Sequence, residues 1–202
     1  ILASATSRFL TFEIGRGDEQ AIRETFTATF FAHLVLAIIL VGVCEVAGIY
    51  LLHHKLTIPA ERMSTAMIVL QFSILGIFLS ITQVPYSAVI VAREKFTIYA
   101  YTSLVSAIYS LFSAIYVKYT SMDKLVVYTV LGAISNVAVI VYLRYYCIQK
   151  FQEVQLLRRV SFLRLKPIMS FVAWELFGNF CVAIYNQSRN YLVNVFFGLR
   201  YN

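Results

Sequence analysis

Five long apolar runs separated by short polar segments make up most of this chain. They extend from about Phe26 to Leu52, Ser64 to Ala92, Phe96 to Tyr119, Leu125 to Tyr146 and Ile168 to Phe197. Each holds the roughly 20 mostly apolar residues that one α-helix needs to cross bilayer hydrocarbon. Several are longer, which predicts tilt or protrusion. None shows the sustained alternation of a membrane β-barrel strand. The pattern predicts an all-α membrane protein, a multi-span helical bundle whose fifth span is the most polar.

Composition agrees with that reading. Hydrophobic residues make up 60% of the 202 positions and charged residues only 13%, whereas soluble domains are about half apolar and a quarter charged. The chain starts at Ile1, with neither the basic start nor the apolar run of a signal peptide. It stops at Tyr201-Asn202 directly after an apolar run, so both ends are expected to be cuts inside a longer protein.

The formal net charge of +7 is explained by topology. Arg8, Arg16, Arg23, Arg93, Lys95, Arg144, Lys150, Arg158, Arg159, Arg164 and Lys166 fall on one side of the spans, against Lys55, Arg62, Lys118 and Lys124 on the other. The positive-inside rule makes the richer side cytoplasmic, with residues 1–25, 93–95 and 147–167 as its loops. No basic helix or aromatic platform for nucleic acid is present, and no nucleic-acid partner is expected. The basic segment from Gln149 to Lys166 has no clean apolar face and reads as an interfacial linker closed by Pro167. Contact with anionic lipid heads would contribute about 1 kcal/mol per basic residue there.

Polar residues inside the spans are the candidates for function, because charge in hydrocarbon is costly unless it is paired or used. At 100° per residue, Glu175, Asn179, Asn186, Arg189 and Asn190 share one stripe of the fifth span roughly 100° wide. The stripe lines a wet cavity or satisfies neighbouring helices. Glu175 and Arg189 are about 21 Å apart along the axis and cannot pair. On the third span Ser103, Ser106, Ser110 and Ser113 form a small-residue face, read as helix packing. Near the end of the second span, Gln83 precedes Pro85, which removes a backbone donor and bends or loosens the helix. Glu45 in the first span is a candidate for a coupling proton or sodium ion, or else a paired interface carboxylate. Asn136 in the fourth span is a cavity candidate with the same ambiguity, and His33 reads as a packed polar residue.

Cys44, Cys147 and Cys181 are far apart and form no C-x-x-C, so neither a redox nor a zinc motif is suggested. No G-x-S-x-G, phosphate loop, H-E-x-x-H or dinucleotide fingerprint occurs. No enzyme activity, catalytic residue, metal or cofactor is therefore expected.

Four strings, in order, carry a resemblance: Ala5-Thr-Ser-Arg8, Glu13-Ile-Gly-Arg-Gly-Asp18, Val84-Pro-Tyr-Ser-Ala-Val-Ile-Val-Ala-Arg-Glu-Lys95 and Tyr185-Asn-Gln-Ser-Arg-Asn-Tyr-Leu-Val-Asn-Val-Phe-Phe-Gly198. Together they resemble the polysaccharide and lipid-linked oligosaccharide flippases of the MATE-like transporter superfamily. The resemblance implies two lobes of six spans. Residues 1–148 would be part of the N-terminal lobe, 149–167 the cytoplasmic linker, and 168–202 the first helix of the C-terminal lobe. It further implies an undecaprenyl-type lipid-linked oligosaccharide substrate at the bacterial inner membrane, moved by alternating access for polysaccharide or O-antigen export. Asn186, Gln187, Asn190 and Asn194 match the amide-rich string. Ser188 stands where glycine is common and Arg189 where a small or apolar residue is common, so a phosphate-binding role for Arg189 rests on its chemistry. The rival functions are a cation-coupled multidrug antiporter and a membrane-embedded sugar polymerase or transferase.

Overall fold

In the computed structural model of the chain, the structure describes residues 2–55, 58–157 and 162–197, without the side chains of 2–5, 162–165, 175, 187 and 189–197. Among the described residues six α-helices follow one another: α1 (Leu2–Arg16), α2 (Glu19–His54), α3 (Met63–Ala92), α4 (Thr97–Tyr119), α5 (Lys124–Lys150) and α6 (Phe162–Phe197). Short 3-10 turns lie at Ala60–Arg62 and Gln152–Val154, and no strand occurs among the described residues. Five of the helices, α2 to α6, are long and apolar enough to cross a membrane. Large apolar side chains on them stay exposed, among them Val43, Val46, Leu104, Phe112 and Val141, which suits a bundle whose outer solvent is lipid.

The helices extend beyond the apolar runs where capping allows. Gly17, at φ +72°, ends α1 with its N–H on the Ile14 carbonyl at 3.1 Å, a backbone that glycine adopts without strain. Asp18 then caps α2, its Oδ1 accepting from the Ala21 N–H at 3.0 Å. Thus α2 begins two turns before Phe26, and residues 2–25 hold α1 and the start of α2. Hydropathy missed α1 because it is short. Its Leu10 is fully buried, and Phe9 meets Phe171 of α6 edge to face at 5.8 Å.

The linker also differs from its expected form. Phe151, Glu153 and Val154 are buried against the bundle, and the Leu157 N–H donates to the Thr27 hydroxyl of α2 at 3.1 Å. Burying two apolar side chains here contributes about 1.5–3 kcal/mol each, which outweighs lying on a lipid surface. The next helix starts at Phe162, so Pro167 lies inside α6 and does not set the boundary. In the second turn, proline forfeits only the bond to the helix's first turn.

Most of the core gathers at one end of the bundle. Leu10, Phe26, Tyr86, Val89, Ile98, Leu143, Cys147 and Val154 pack together there, joining α1 to α5 and the linker. Phe26 meets Tyr86 edge to face at 5.4 Å, a geometry worth about 0.5–1.5 kcal/mol beyond area burial. A second cluster of Ala28, Ala32, Ile168 and Val172 holds α6 on α2. α3 is central and packs on α1, α2 and α5, whereas α4 packs along α5 and not along α3.

Candidate functional site

The gap left between α3 and α4 is a cavity of about 600 Å³, closed on its third side by α5. Asn136 of α5 lines it. So do Ser106, Ser110 and Ser113 of α4, Ser73 of α3, and Thr129, Tyr109 and Tyr128. The serine face of the third span was expected to pack closely against a neighbour; Ser106, Ser110 and Ser113 line the cavity instead, and Ser103 is exposed. Gly76 and Gly132 also line the cavity, and a Cβ on either would meet no atom within 4 Å. These glycines therefore enlarge the hollow rather than permit close packing.

The wall carries hydroxyls and one amide but no charged side chain. Thr129 donates to the Leu125 carbonyl at 2.8 Å and Ser73 to the Val69 carbonyl at 2.8 Å. Their oxygens keep acceptor capacity, and the Asn136 amide both donates and accepts. Tyr109 and Tyr128 add ring faces. Such a surface complements a polyhydroxylated ligand better than an ion.

Gln83 stands apart from this cavity. It is buried, and its Oε1 accepts from Arg144 Nε at 3.1 Å. Arg144 Nη2 donates to the Thr82 hydroxyl at 2.7 Å, and the guanidinium lies 5.1 Å over the Tyr86 ring. Cys147 Sγ reaches the Tyr86 carbonyl at 3.7 Å. Pro85, fully buried, sits inside the continuous α3 in the middle of this constellation. Arg144 had been counted among the loop cations; it belongs inside α5 and bonds neutral groups on α3. Its position before the end of the fourth apolar run was the signal.

Glu45 is engaged as well, its Oε1 accepting from Gln71 Nε2 of α3 at 2.7 Å. His33 is fully buried with Nδ1 on the Thr29 carbonyl at 2.9 Å. On α6, Asn179 is half-buried and Asn186 exposed. The side chains of Glu175, Gln187, Arg189, Asn190 and Asn194 lie outside the described residues, so the stripe is visible only in part. At the opposite end of the bundle Asp123 caps α5. Its Oδ1 accepts from the Leu125 N–H at 2.9 Å and its Oδ2 from the Thr65 hydroxyl at 3.2 Å. The Leu125 N–H foremost, with the Val126 N–H, the Thr65 hydroxyl and the nearby Arg62 charge, holds its carboxyl below the usual aspartate value.

Among the described residues no group of three or more His, Cys, Asp or Glu is placed to hold a metal. Comparison with protein-family models, with curated proteins and with solved structures gives no match to this chain.

Proposed function

We propose that this chain is part of a membrane transporter that flips a lipid-linked oligosaccharide across the bacterial inner membrane. The observation that carries the reading is the uncharged, hydroxyl-rich and amide-bearing cavity among α3, α4 and α5. Sugar hydroxyls exchange hydrogen bonds with Ser, Thr, Tyr and Asn side chains, and pyranose faces lie well on tyrosine rings. In this reading the cavity receives part of the saccharide. The rest of the substrate falls to the amides of α6 and to Arg189, whose guanidinium chemistry suits the lipid diphosphate. A coupling proton or sodium ion would have to bind elsewhere than in that cavity, whose lining holds no carboxylate. A multidrug antiporter for cationic substrates is supported less well for the same reason.

The test is made in a strain deleted for the full-length parent gene and complemented with Asn136→Leu, Gly132→Phe or Arg189→Ala. Lipid-linked saccharide retained on the cytoplasmic side and polymer at the cell surface are quantified at matched protein level. Loss of one hydrogen-bonding contact to the saccharide is expected to lower export up to about tenfold in Asn136→Leu, and Gly132→Phe to abolish it by filling the cavity. Normal export in both cavity variants removes the reading.

A further inference from the structure

Where the start of α2, the α3–α4 turn and the end of α5 meet, a second pocket of about 480 Å³ opens. Arg23, Arg93, Lys95 and Lys150 line it, opposed among the described residues by Glu19 and Glu153. Glu153 is already committed, since it accepts from Arg93 Nε at 2.8 Å. Arg23 Nε is buried and has no acceptor among the described residues. A buried donor left in this state costs about 1–3 kcal/mol. With Arg93 held by Glu153, Arg23, Lys95 and Lys150 face Glu19, and this surplus of positive charge around a hollow with one orphaned guanidinium donor favours an oxyanion.

The turn that presents two of these cations is a built structure. The Lys95 N–H reaches the Ile90 carbonyl at 3.0 Å and the Glu94 N–H the Val91 carbonyl at 3.0 Å, with Glu94 at φ +55°. This paired closure of a helix end places Arg93 and Lys95 on either side of a left-handed residue. The next residue, Phe96, is 54% exposed.

We infer that this pocket binds the phosphate of an anionic phospholipid. It lies at the ends of three membrane-crossing helices, which is the depth of the headgroups. Phe96, next in sequence to Lys95 and exposed, offers an apolar contact for the glycerol and acyl region. A lipid phosphodiester reaching Arg23 supplies the acceptor that its Nε lacks, and the flanking lysines add attraction for an anionic headgroup. The inference concerns the leaflet bordering the pocket and is independent of what the transporter carries.

The test uses the full-length protein in neutral detergent, titrated with short-chain phosphatidylglycerol, short-chain phosphatidylcholine and inorganic phosphate, with bound ligand read by native mass spectrometry. Lys95 and Lys150 are exposed, so the double variant Lys95→Gln/Lys150→Gln leaves the core intact; thermal unfolding checks this. Phosphatidylglycerol is expected to bind in preference to the other two, and the double variant to weaken it about thirtyfold. Lys95→Arg/Lys150→Arg should restore it. Equal binding of phosphatidylcholine, or undiminished binding by the glutamine variant, overturns the site. Displacement of the lipid by comparable inorganic phosphate reassigns it to a soluble anion and overturns the lipid assignment.

Discussion

Arg144 of α5 donates from Nη2 to the Thr82 hydroxyl of α3 at 2.7 Å, one turn before Pro85. Proline deprives α3 of one internal hydrogen bond and crowds the carbonyl four residues earlier. Thr82 turns its own hydroxyl proton back onto the Phe78 and Leu79 carbonyls, at 2.9 and 3.1 Å, and so offers its oxygen to Arg144. The second donor, Nε, holds Gln83. The fourth span thus clamps the second across its weakest turn. The clamp is polar in an otherwise apolar contact.

That clamp sets the first expectation. Arg144→Ala removes two charge-assisted hydrogen bonds and leaves Gln83 buried without its partner, at a cost of about 2–3 kcal/mol. Arg144→Lys keeps the charge but loses the forked geometry and should recover about half of that. Thermal unfolding in detergent measures both. A lysine variant as stable as the parent would show that charge alone matters here.

Glu94 occupies a left-handed position, φ +55°, that costs a side-chain-bearing residue roughly 1 kcal/mol. Glu94→Gly should therefore raise stability by up to about 0.5 kcal/mol, after allowance for the freer unfolded chain. Gly17→Ala, at φ +72°, should lower it by a similar amount. Denaturation midpoints moving in the same direction for the two variants would contradict this account of the turns.

The cavity glycines separate stability from function. Gly76 and Gly132 are inside helices with open space where a Cβ would stand. Gly76→Ala and Gly132→Ala are expected to stabilise by about 0.5–1 kcal/mol each. The bulkier Gly132→Phe should lower transport while the protein still accumulates. A destabilised alanine variant would mean that the hollow is filled by a neighbour.

Asp123 provides a pH dependence with a defined sign. Its carboxyl is held below the usual value by the Leu125 N–H and its other partners, so the folded state favours the ionised form. The contribution is fully present above the unfolded aspartate value and is lost as pH falls through the lowered folded value. Asp123→Asn should flatten the acid limb of the stability curve. If the acid limbs of parent and variant superimpose, the cap contributes nothing through its charge.

The ion pair between Arg93 and Glu153 is lopsided, with side chains 36% and 11% exposed. Arg93→Met strands the less exposed carboxylate and is expected to cost about 1–2 kcal/mol. Glu153→Gln leaves an arginine that can turn to water and should cost less than that. The reverse order in unfolding measurements would mean that the carboxylate is the better solvated partner.

Hydropathy alone located α2 to α5 to within a few residues at most ends, because a spanning helix must satisfy its own backbone and present apolar side chains all round. The ends were less legible. Asp18 and Gly17 move the start of α2 outward through capping, and Pro167 was taken for a boundary though it lies inside α6. Of the site candidates, Asn136 lines the cavity, whereas Gln83 and Glu45 are each hydrogen-bonded to a neighbouring helix.

What the sequence by itself determined is that this chain is helical and suited to a bilayer, because apolar length is a local property that needs no partner. Only the tertiary structure decided which polar groups face one another. Three serines of α4 became a cavity wall because α4 leans on α5 and meets α3 near its start, where the Tyr99 hydroxyl donates to the Ser87 carbonyl at 3.1 Å. Arg144 passed from a loop cation to an interhelical clamp because α5 presents it to Thr82 and Gln83. The linker residues Phe151 and Val154 left the expected lipid surface because a pocket in the bundle end could bury them. Each of these outcomes depends on helix facing and register, which a hydropathy pattern does not encode.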